Sequence, residues 1–392
     1  MITPSFNLTA TERVLPKLAL DFTTASLDPR VTFTRALNTA TRVNSSGYVE
    51  TVNADIPRFD YNPVTLACNG LLIEESRVNY QKYSSTFSSW NNYGTAPTLT
   101  SITSPTGLND GTLFEDTGAG YFGKTINNGS FAAGTWTISL YVKQGTAASF
   151  GVWVLGSVNS FFFQDSIGWA GSPVGSGWSY SNAGNGWYRI WKSFTGTSTQ
   201  TLTTYLLAAG GGTAPSGTTG FWGVQIEPGA FPTSYIPNDI NGSTTRNADV
   251  ATMTGTNFSS WYNASEGSFV TNITSSESST SARVFTIHDL TINNQLFMSK
   301  AQSASYVSTF QANLVQSYNS GKCCFAYKQN SFAASVNGAT PLTDTSGTLP
   351  TVSLMSIGVS WDSIAGKLNG CIKSIYYYPQ RLTNAEVQAF SK

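Results

Sequence analysis

Charged side chains are scarce in this sequence. Asp, Glu, Lys and Arg together make up 11% of its 392 residues, whereas an ordinary soluble domain carries about 25%. The 21 basic and 21 acidic residues cancel, and no basic run appears. Because nucleic acids and anionic membrane surfaces are bound through clusters of Lys and Arg, we expect neither as a partner.

Long apolar runs are also missing. Every apolar segment is shorter than the run of about 18 residues that a membrane-spanning helix requires, so no membrane span is predicted. The opening residues, M-I-T-P-S-F-N-L-T-A, contain neither a basic region nor a continuous apolar stretch. They therefore do not predict a signal peptide.

Histidine and cysteine are few. His288 is the only histidine, and the four cysteines, Cys68, Cys323, Cys324 and Cys371, include no C-x-x-C pair. A structural zinc site is therefore not expected, and no metal or cofactor is predicted. Adjacent Cys323 and Cys324 should point to opposite faces of a strand and not bond each other. We expect four buried thiols in a protein made in a reducing cytosol.

Ser, Thr, Asn and Gly take the place of the charges, beside 40% hydrophobic residues. Hydrophobic and polar residues alternate in many short segments, for example over Trp136–Val142 and Cys323–Lys328, with the period of a β-strand. Turn clusters separate these segments, as in β-sandwiches. A helix is predicted mainly after Thr383, where Thr383 and Glu386 form a capping box. The predicted fold class is therefore all-β.

The patterning divides the chain into four parts. Residues 1–80 contain short, widely separated apolar pairs and are predicted to be an extended N-terminal arm. Residues 81–237 and 266–392 are predicted to be two β-sandwich modules, joined by a polar connector, 238–265. The arm is too fragmented to build a core alone. It should pack on the first module, a neighbouring subunit or a docking partner, or wrap on its own domain.

The segment 221–237, F-W-G-V-Q-I-E-P-G-A-F-P-T-S-Y-I-P, connects the two modules. Trp222, Val224 and Ile226 occupy alternate positions, which predicts one face of a strand. The prolines that follow deny donors to the sheet and force turns. We expect this strand to close the first sandwich and the remainder to form a hinge.

Two pairs of adjacent carboxylates are candidates for a catalytic pair: Glu74 with Glu75, and Glu115 with Asp116. A glycosidase needs two carboxylates that converge across a sugar, roughly 5–10 Å apart. Neighbours on a strand face opposite ways, so neither pair meets this need. Acids distant in sequence could still meet in space, but no motif marks such a pair. No catalytic residue is predicted, and the chain is not expected to be an enzyme.

His288 precedes Asp289 in V-F-T-I-H-D-L, which raises the alternative of a Ser-His-Asp arrangement. An adjacent Asp on a strand points away from the ring, and no G-x-S-x-G elbow occurs in the sequence. A structural or turn histidine is the favoured interpretation.

Aromatic residues supply the candidate binding site. Trp169, Trp178 and Tyr180 lie in the Gly/Ser-rich segment I-G-W-A-G-S-P-V-G-S-G-W-S-Y and are candidate glycan-binding residues, because exposed rings stack on sugar faces. The alternative, which we favour because large aromatics are mostly buried, is that these rings pack under a loop or in a subunit interface. The other tryptophans in strands are expected to be nearly all core: Trp136, Trp187, Trp191, Trp222 and Trp361.

Several segments resemble a known family. Five segments near the N-terminus carry the resemblance: Leu20–Thr24, Val31–Arg35, Thr41–Gly47, Pro57–Pro63 and Gly70–Arg77. They resemble the opening of bacteriophage head spike or fibre proteins, a family that has relatives in tail fibres. The string G-V-Q-I-E-P-G-A-F-P-T-S-Y-I-P closely resembles the end of that family's first sandwich. The second module resembles concanavalin A-like or laminin G-like domains, through S-V-N-G, I-G-V-S-W and L-N-G-C-I-K-S-I-Y-Y-Y-P-Q-R-L-T-N-A-E.

The resemblance implies a virion location and jelly-roll, concanavalin A-like sandwiches. The leading function that it implies is a head fibre, spike or decoration protein that anchors to the phage particle and displays lectin-like domains. A tail fibre or receptor-binding protein that recognises host surface polysaccharide is the alternative, and a polysaccharide depolymerase is less favoured. The implied partners are capsid or tail proteins, a host surface glycan, and further copies of the chain in a homotrimer that the arm helps to hold.

Overall fold

Strands dominate the computed structural model, which describes residues 15–118, 120–157, 161–210, 216–275, 281–362 and 366–392. Within these ranges helix is limited to two short α-helices and two 3-10 turns, so the all-β prediction is confirmed. None of the described helices has the length and hydropathy to cross a membrane.

Short strands fill the N-terminal region. They are β1 (Leu18–Asp21), β2 (Thr32–Thr34), β3 (Ala40–Val43), β4 (Val49–Val52), β5 (Phe59–Tyr61), β6 (Cys68–Ile73) and β7 (Arg77–Asn79). β3 and β4 form a hairpin of their own. The 3-10 turns cover Phe22–Thr24 and Phe87–Ser89.

The first sandwich follows. Its strands are β8 (Asn91–Gly94), β9 (Thr98–Ile102), β10 (Gly111–Asp116), β11 (Phe122–Phe131), β12 (Gly134–Gln144), β13 (Ser149–Gly156), β14 (Phe161–Trp169), β15 (Pro173–Val174), β16 (Ser179–Gly184), β17 (Trp187–Gly196), β18 (Gln200–Leu207) and β19 (Gly217–Pro228). They form two six-stranded sheets: the β12 sheet, ordered β16-β17-β12-β19-β10-β9, and the β13 sheet, ordered β15-β14-β13-β18-β11-β8.

The core of the first sandwich lies between these sheets. Phe114 and Phe221 from the β12 sheet and Phe150 from the β13 sheet are fully buried. The ring centroid of Phe221 lies 4.9 Å from that of Phe114 and 5.8 Å from that of Phe150. Alternate residues of each strand supply such rings because the pleat turns every second side chain inward.

The remaining elements follow the hinge. They are β20 (Thr244–Arg246), β21 (Val250–Thr254), α1 (Thr256–Ser259), β22 (Glu266–Ser275), β23 (Arg283–His288), β24 (Asn294–Ser299), β25 (Gln302–Val307), β26 (Thr309–Val315), β27 (Ser320–Lys328), β28 (Ser331–Val336), β29 (Leu342–Asp344), β30 (Leu354–Ile357), β31 (Gly370–Tyr378) and α2 (Asn384–Phe390). β20 pairs with β7.

Two larger sheets form the second sandwich. The β22 sheet is ordered β29-β28-β27-β22-β31-β6-β5, with β1 also paired to β31. The β23 sheet is ordered β2-β21-β30-β23-β24-β25-β26. The second sandwich therefore takes strands from both sides of the first one in the sequence.

Residues 15–79 are accordingly not a separate arm. β1 pairs with β31, with Leu18 opposite Tyr377, and β6 pairs with β31 further along. Leu18, Leu20 and Phe22 are at most 1% exposed and belong to the core of the second sandwich. The apolar pairs that suggested docking to a partner find partners within the same chain: Leu20 lies opposite Ile375 on β31, and Phe33 lies opposite Ala251 on β21. The expected boundary between arm and second module does not exist for these residues.

The expected connector, 238–265, also contributes to the second sandwich. β21 joins the β23 sheet between β2 and β30. Phe258 and Trp261, in and just after α1, are buried in the core, with Trp261 1% exposed. The polar residues at the start of this segment predict a connector. Ala251 and Met253, however, occupy alternate positions of a strand, and both are fully buried.

A β-bulge in β19 changes the direction of Trp222. The register of β19 against β12 shifts just after Trp222, which lies opposite Tyr141. Gly223 has a φ of +59°, a left-handed conformation that suits glycine. Val224 and Ile226 therefore face the core, whereas Trp222 packs in a separate cluster on the outer face of the β12 sheet. The expected common face of Trp222, Val224 and Ile226 is wrong because of this bulge.

Two local expectations are confirmed. Cys323 and Cys324 lie on opposite faces of β27, one in the main core and one under α2, and neither is in a disulfide. Cys68 is half-buried, unlike the other cysteines. α2 begins with the capping box, in which the Thr383 hydroxyl accepts the Glu386 N–H at 3.3 Å and the Glu386 carboxylate accepts the Thr383 N–H at 2.7 Å.

We predict that Trp222→Ala destabilises the protein by roughly 3–5 kcal/mol, because the ring is 3% exposed and packs against Tyr141, Trp187 and Tyr235. The measurement is the free energy of unfolding in urea. Tyr180→Ala is the control, since Tyr180 is 49% exposed and its removal should change that free energy by less than about 0.5 kcal/mol. Equal effects of the two substitutions would contradict the packing assigned to Trp222.

Candidate functional site

Five buried charged side chains meet where the two sandwiches join, and we call them the ion network: Arg35, Arg58, Glu74, Arg246 and Asp249. Arg35 Nη1 lies 3.1 Å from Asp249 Oδ1, and Arg58 bonds the other oxygen of the same carboxylate. Arg58 and Arg246 both donate to Glu74, at 2.8 and 2.9 Å. All five side chains are at most 6% exposed. The network therefore joins the N-terminal strands to β20 and β21 through direct ion pairs.

The hinge is attached to the same network. The backbone N–H of Ser234 donates to Glu74 Oε1 at 2.7 Å, and its hydroxyl donates to Oε2 at 2.6 Å. Lys367 donates to the backbone carbonyl of Asp249 at 2.7 Å. Burial by itself raises the pKa of Glu74, but Arg246 and Arg58 lower it to about 2, so this carboxylate is ionised at neutral pH.

A cleft of about 550 Å³, the junction cleft, lies beside the ion network. Its walls come from β3–β6, the outer face of the β12 sheet, residues 231–235 of the hinge, and the start of β31. A cleft of this size at the junction of two domains is a common place for a ligand site.

Asp60 contributes a carboxylate to the junction cleft. One of its oxygens accepts the N–H of Val43 at 2.9 Å, and the other accepts from Asn69 Nδ2 at 3.3 Å. Within the described ranges, no Lys or Arg forms an ion pair with it. Burial raises the pKa of Asp60 to about 6 in spite of these hydrogen bonds. The group can therefore accept hydrogen bonds from a ligand at neutral pH and loses its charge under mild acid.

The wall supplied by the first sandwich carries an aromatic ring and a cation. Arg189 and Trp191 are alternate residues of β17, so both side chains point away from the core of that sandwich and line the cleft. The Arg189 guanidinium lies 5.5 Å above the Tyr141 ring and donates to Ser139 Oγ at 3.0 Å. Trp191 is half-buried, so the expectation that it belongs to the core is wrong.

A second pocket of about 340 Å³ continues the cleft, since Pro63 and Asn182 line both. Tyr48, Leu66 and the turn Gly184–Gly186 complete this pocket. We call the cleft and the pocket together the junction groove. An elongated groove suits a linear ligand more than a compact one.

The junction groove is lined by groups that can bind a sugar, and its two described acids differ in their partners. Trp191 offers a ring to stack on a sugar face, and Asp60, Asn69, Asn182 and Arg189 offer hydrogen-bonding groups. Among the described lining residues the other acid is Glu74. Its oxygens are occupied by two arginines and Ser234, so it is not free to act as nucleophile or general acid.

The aromatic residues singled out in the sequence lie elsewhere, at the edge of the first sandwich. Trp169 ends β14, Tyr180 belongs to β16, and Trp178 lies between them. Trp169 is half-buried, with its ring 5.2 Å from that of Phe150. Trp178 is also half-buried, and its Nε1 donates to Asp165 at 2.8 Å.

Tyr180 is the exposed member of this set, at 49%. Its ring meets that of Tyr188 edge-on at 5.9 Å, and its hydroxyl accepts from Ser172 at 3.1 Å. Two of the three rings thus pack against the sandwich, in line with the favoured alternative. The glycan-binding role of Trp169, Trp178 and Tyr180 stays a prediction.

His288 is a structural residue, fully buried in β23. Its Nδ1 accepts the N–H of Leu290 at 3.1 Å, which places the proton on Nε2, and Nε2 donates to Ser356 Oγ at 2.9 Å. Asp289 turns away and bonds Thr291 instead. Burial lowers the pKa of His288 to about 4, so the neutral ring persists well below neutral pH.

The adjacent carboxylate pairs face opposite ways, as expected. Glu74 is buried in the ion network, whereas Glu75 is half-exposed and bonds Arg77. Glu115 is exposed and Asp116 is buried. In the part of the chain that the structure describes, no group of three or more His, Cys, Asp or Glu side chains is placed to hold a metal ion.

Sequence reasoning missed the junction groove because its walls are far apart in the chain. Asp60 lies in β5, whereas Trp191 lies in β17, and nothing local to either position indicates that they meet. One signal was present: the segment Trp187–Phe194 places aromatics on both faces of a strand. A strand of a sandwich with aromatics on its outer face indicates a covered or functional surface.

Comparisons with known proteins give no family. No family model matches this chain, and no curated protein matches it. A CBM22-1–CBM22-2 tandem domain of Xyn10C from Paenibacillus barcinonensis is 9% identical, with 77% of this chain and 95% of that chain covered and a TM-score of 0.25. Domains LG4-5 of the mouse laminin alpha1 chain are 9% identical, with 67% and 90% covered and a TM-score of 0.20.

The tripod from the baseplate of bacteriophage Tuc2009 is 12% identical, with 71% of this chain and 100% of that chain covered and a TM-score of 0.23. With TM-scores this low, none of these structures determines the function of the chain. The function is therefore argued from the residues of the chain itself.

We predict that Asp249→Ala destabilises the protein by roughly 3–5 kcal/mol, because it leaves Arg35 and Arg58 buried without their shared carboxylate. Urea unfolding followed by tryptophan fluorescence measures the effect. Asp28→Ala is a matched control that removes an acid paired with Arg30 near the surface, and it should cost less than about 1 kcal/mol. A loss for Asp249→Ala no larger than this control would show that the network does not hold the junction.

His288 should make stability depend on pH. Its folded pKa of about 4 lies below its ordinary value of 6.5, so the unfolded chain binds the extra proton first as the pH falls. The contribution of His288 is intact above pH 6.5 and is lost progressively toward pH 4, by about 3 kcal/mol in total. Urea unfolding of wild type and His288→Gln across this range measures it. Parallel stability–pH curves for the two proteins would contradict the assignment.

Proposed function

We propose that the chain is a non-enzymatic attachment protein of a bacteriophage particle and that it holds a segment of host surface polysaccharide in the junction groove. The observation that supports this proposal is the groove itself, in which Trp191 and Asp60 line one cavity from two different sandwiches. A linear glycan fits the continuation of the cleft past Pro63 and Asn182.

The groove is matched to an uncharged or weakly charged glycan. Arg42 is paired with Glu50 at 2.7 Å, and Glu74 is neutralised by arginines, so Asp60 and Arg189 are the charges left to meet a ligand. One carboxylate and one guanidinium provide hydrogen bonds to sugar hydroxyls without a net charge. Trp191 adds the stacking surface that sugar rings require.

The same residues support the proposal that the chain does not hydrolyse the glycan. Cleavage of a glycosidic bond needs a second carboxylate across the sugar from the first. In the described lining that second acid is Glu74, and its hydrogen bonds to Ser234 and the arginines keep it ionised and occupied. We therefore propose binding without turnover, and not a depolymerase.

The virion setting of the proposal rests on the resemblance of residues 221–237 and of the N-terminal segments to phage head spike or fibre proteins. A head fibre, spike or decoration protein and a tail fibre or receptor-binding protein both fit that resemblance. A groove with sugar-binding chemistry favours the receptor-binding role. A homotrimer remains part of the proposal, but residues 15–79 already pair within their own chain, so contacts by the arm would fall to residues 1–14, which lie outside the described residues.

Binding to a panel of immobilised bacterial capsular polysaccharides and lipopolysaccharides tests the proposal. Wild type should bind at least one of them, and Trp191→Ala and Asp60→Asn should each weaken binding by on the order of ten-fold. Binding should also weaken as the pH falls below about 6, the pKa of Asp60, and Asp60→Asn should remove that dependence. Tyr180→Ala, outside the groove, is the control and should bind as wild type does.

Three outcomes would refute parts of this proposal. Binding that is lost in Tyr180→Ala and retained in Trp191→Ala would move the site to the edge of the first sandwich. Reducing ends released from a bound polysaccharide, and lost in Asp60→Asn, would show a depolymerase. Failure of wild type to bind any member of a panel that includes the host's own polysaccharides would remove the attachment function.

A further inference from the structure

Four aromatic rings gather on the outer face of the β13 sheet, and we call them the outer aromatic patch: Tyr93, Tyr121, Trp153 and Tyr205. They come from β8, the residue before β11, β13 and β18, so neighbouring strands deliver them to one place. Their ring centroids lie 5.0–6.2 Å apart. None of them belongs to the core between the two sheets.

Strand register explains why these rings face outward together. Tyr205 lies opposite both Thr125 on β11 and Trp153 on β13, and Trp153 lies opposite Gln164 on β14. Directly paired residues share a face of a sheet, so this row points away from the core. Trp153 is 5% exposed at the centre of the patch, whereas Tyr121 at its rim is 45% exposed.

The planes of the four rings have two main orientations, which are nearly perpendicular to each other. The planes of Tyr93 and Tyr121 are 34° apart, and those of Trp153 and Tyr205 are 43° apart. Tyr93 meets Trp153 at 77° and Tyr205 at 80°. Such edge-to-face contacts stabilise the arrangement without a ligand. The exposed ring of Tyr121 is therefore held on a rigid support.

Beside the rings the sheet is closely packed. Gly123 and Gly151 flank Leu207 in the next row of the sheet, and Leu207 is fully buried. A Cβ at Gly151 would lie 3.0 Å from the Leu207 side chain, and a Cβ at Gly123 would lie 2.7 Å from a backbone carbonyl, so neither position has room for a side chain. This packing supports the rings of the patch from one side.

The described outward strand positions around the patch carry no charge. Among the described outward positions of β8, β11, β13, β14 and β18, the polar residues carry hydroxyls or amides: Asn91, Thr125, Asn127, Thr203, Gln164 and Ser166. Aromatic rings ringed by hydroxyls and amides match a neutral sugar chain, which has apolar ring faces and hydroxyl edges. They offer no complement to a charged partner.

We propose that the outer aromatic patch is a second carbohydrate-binding site, which takes a neutral polysaccharide on the face of the first sandwich opposite the junction groove. The groove lies on the outer face of the β12 sheet and the patch lies on the outer face of the β13 sheet, so both can be occupied at once. The patch does not depend on the groove, because no residue lines both. Two sites on opposite faces allow one molecule to hold two glycan strands and to bind a dense polysaccharide layer by avidity.

Affinity electrophoresis through gels that contain a neutral polysaccharide (xylan, mixed-linkage β-glucan, mannan or dextran) tests this proposal. Wild type and Trp191→Ala should both be retarded by at least one of these polymers. Tyr121→Ala should weaken that retardation on the order of five-fold, and Tyr121→Phe should keep most of it, because the ring and not the hydroxyl makes the contact. Phe310→Ala is the matched control, since Phe310 is 50% exposed and lies on β26 of the second sandwich, outside the patch and the junction groove.

The possible outcomes distinguish binding at the outer aromatic patch from binding in the junction groove. Retardation that is lost in Trp191→Ala and unchanged in Tyr121→Ala would overturn the second site and support the groove alone. Equal migration of wild type and Tyr121→Ala in all four gels would overturn it as well. An oligomer seen by mass photometry that dissociates in Tyr121→Ala, without any retardation of wild type, would show that the patch is an interface between copies of this chain.

Discussion

The architecture depends on how a few buried charges are neutralised. Asp249 and Glu74 sit among three arginines, and all five side chains are at most 6% exposed. Taking such groups out of water is costly unless their geometry is correct, so the pairs are compatible with only one placement of the segments that carry them. Arg35 follows β2, Arg58 precedes β5 and Glu74 follows β6. Arg246 ends β20, and Asp249 precedes β21. The placement of these charged residues determines the position of the hinge. It also holds the outer face of the first sandwich against the strands of the second sandwich.

The same neutralisation decides what chemistry the junction groove can offer. Glu74 is held ionised and surrounded by donors, which makes it a structural anion. Asp60, one strand away, has a backbone amide and a side-chain amide as partners and retains lone pairs for a ligand. Two carboxylates that are close in space thus have different roles because their partners differ. A site with one available acid binds and orients, whereas bond cleavage of the glycosidase type requires two.

Local patterns predicted the local structure well. Strand alternation gave the all-β class, and the spacing of Thr383 and Glu386 located α2 with its cap. The prediction of a separate arm is wrong for residues 15–79, because their strands pair with β20, β21 and β31. Pairing over such separations leaves no trace in a short window of sequence. Trp222 was assigned to the wrong face, because one extra residue at Gly223 inverts the alternation. The sequence does not predict the groove, because its walls also lie far apart in the chain. The prediction that Trp191 lies in the core is wrong, because an outward ring on a sandwich strand looks the same in sequence as an inward one.

The position of β1 beside β31 has a consequence for the order of events on the ribosome. The first sandwich draws all its strands from residues 91–228 and can be completed while the rest of the chain is still being made. β1, β5 and β6 emerge earlier still, yet their sheet is finished only when residues 370–378 leave the exit tunnel. During that interval these strands carry unpaired edges and apolar side chains ahead of a folded domain. Chains that stop short of β31 would leave those edges open permanently, so the folding of the earliest strands depends on residues 370–378.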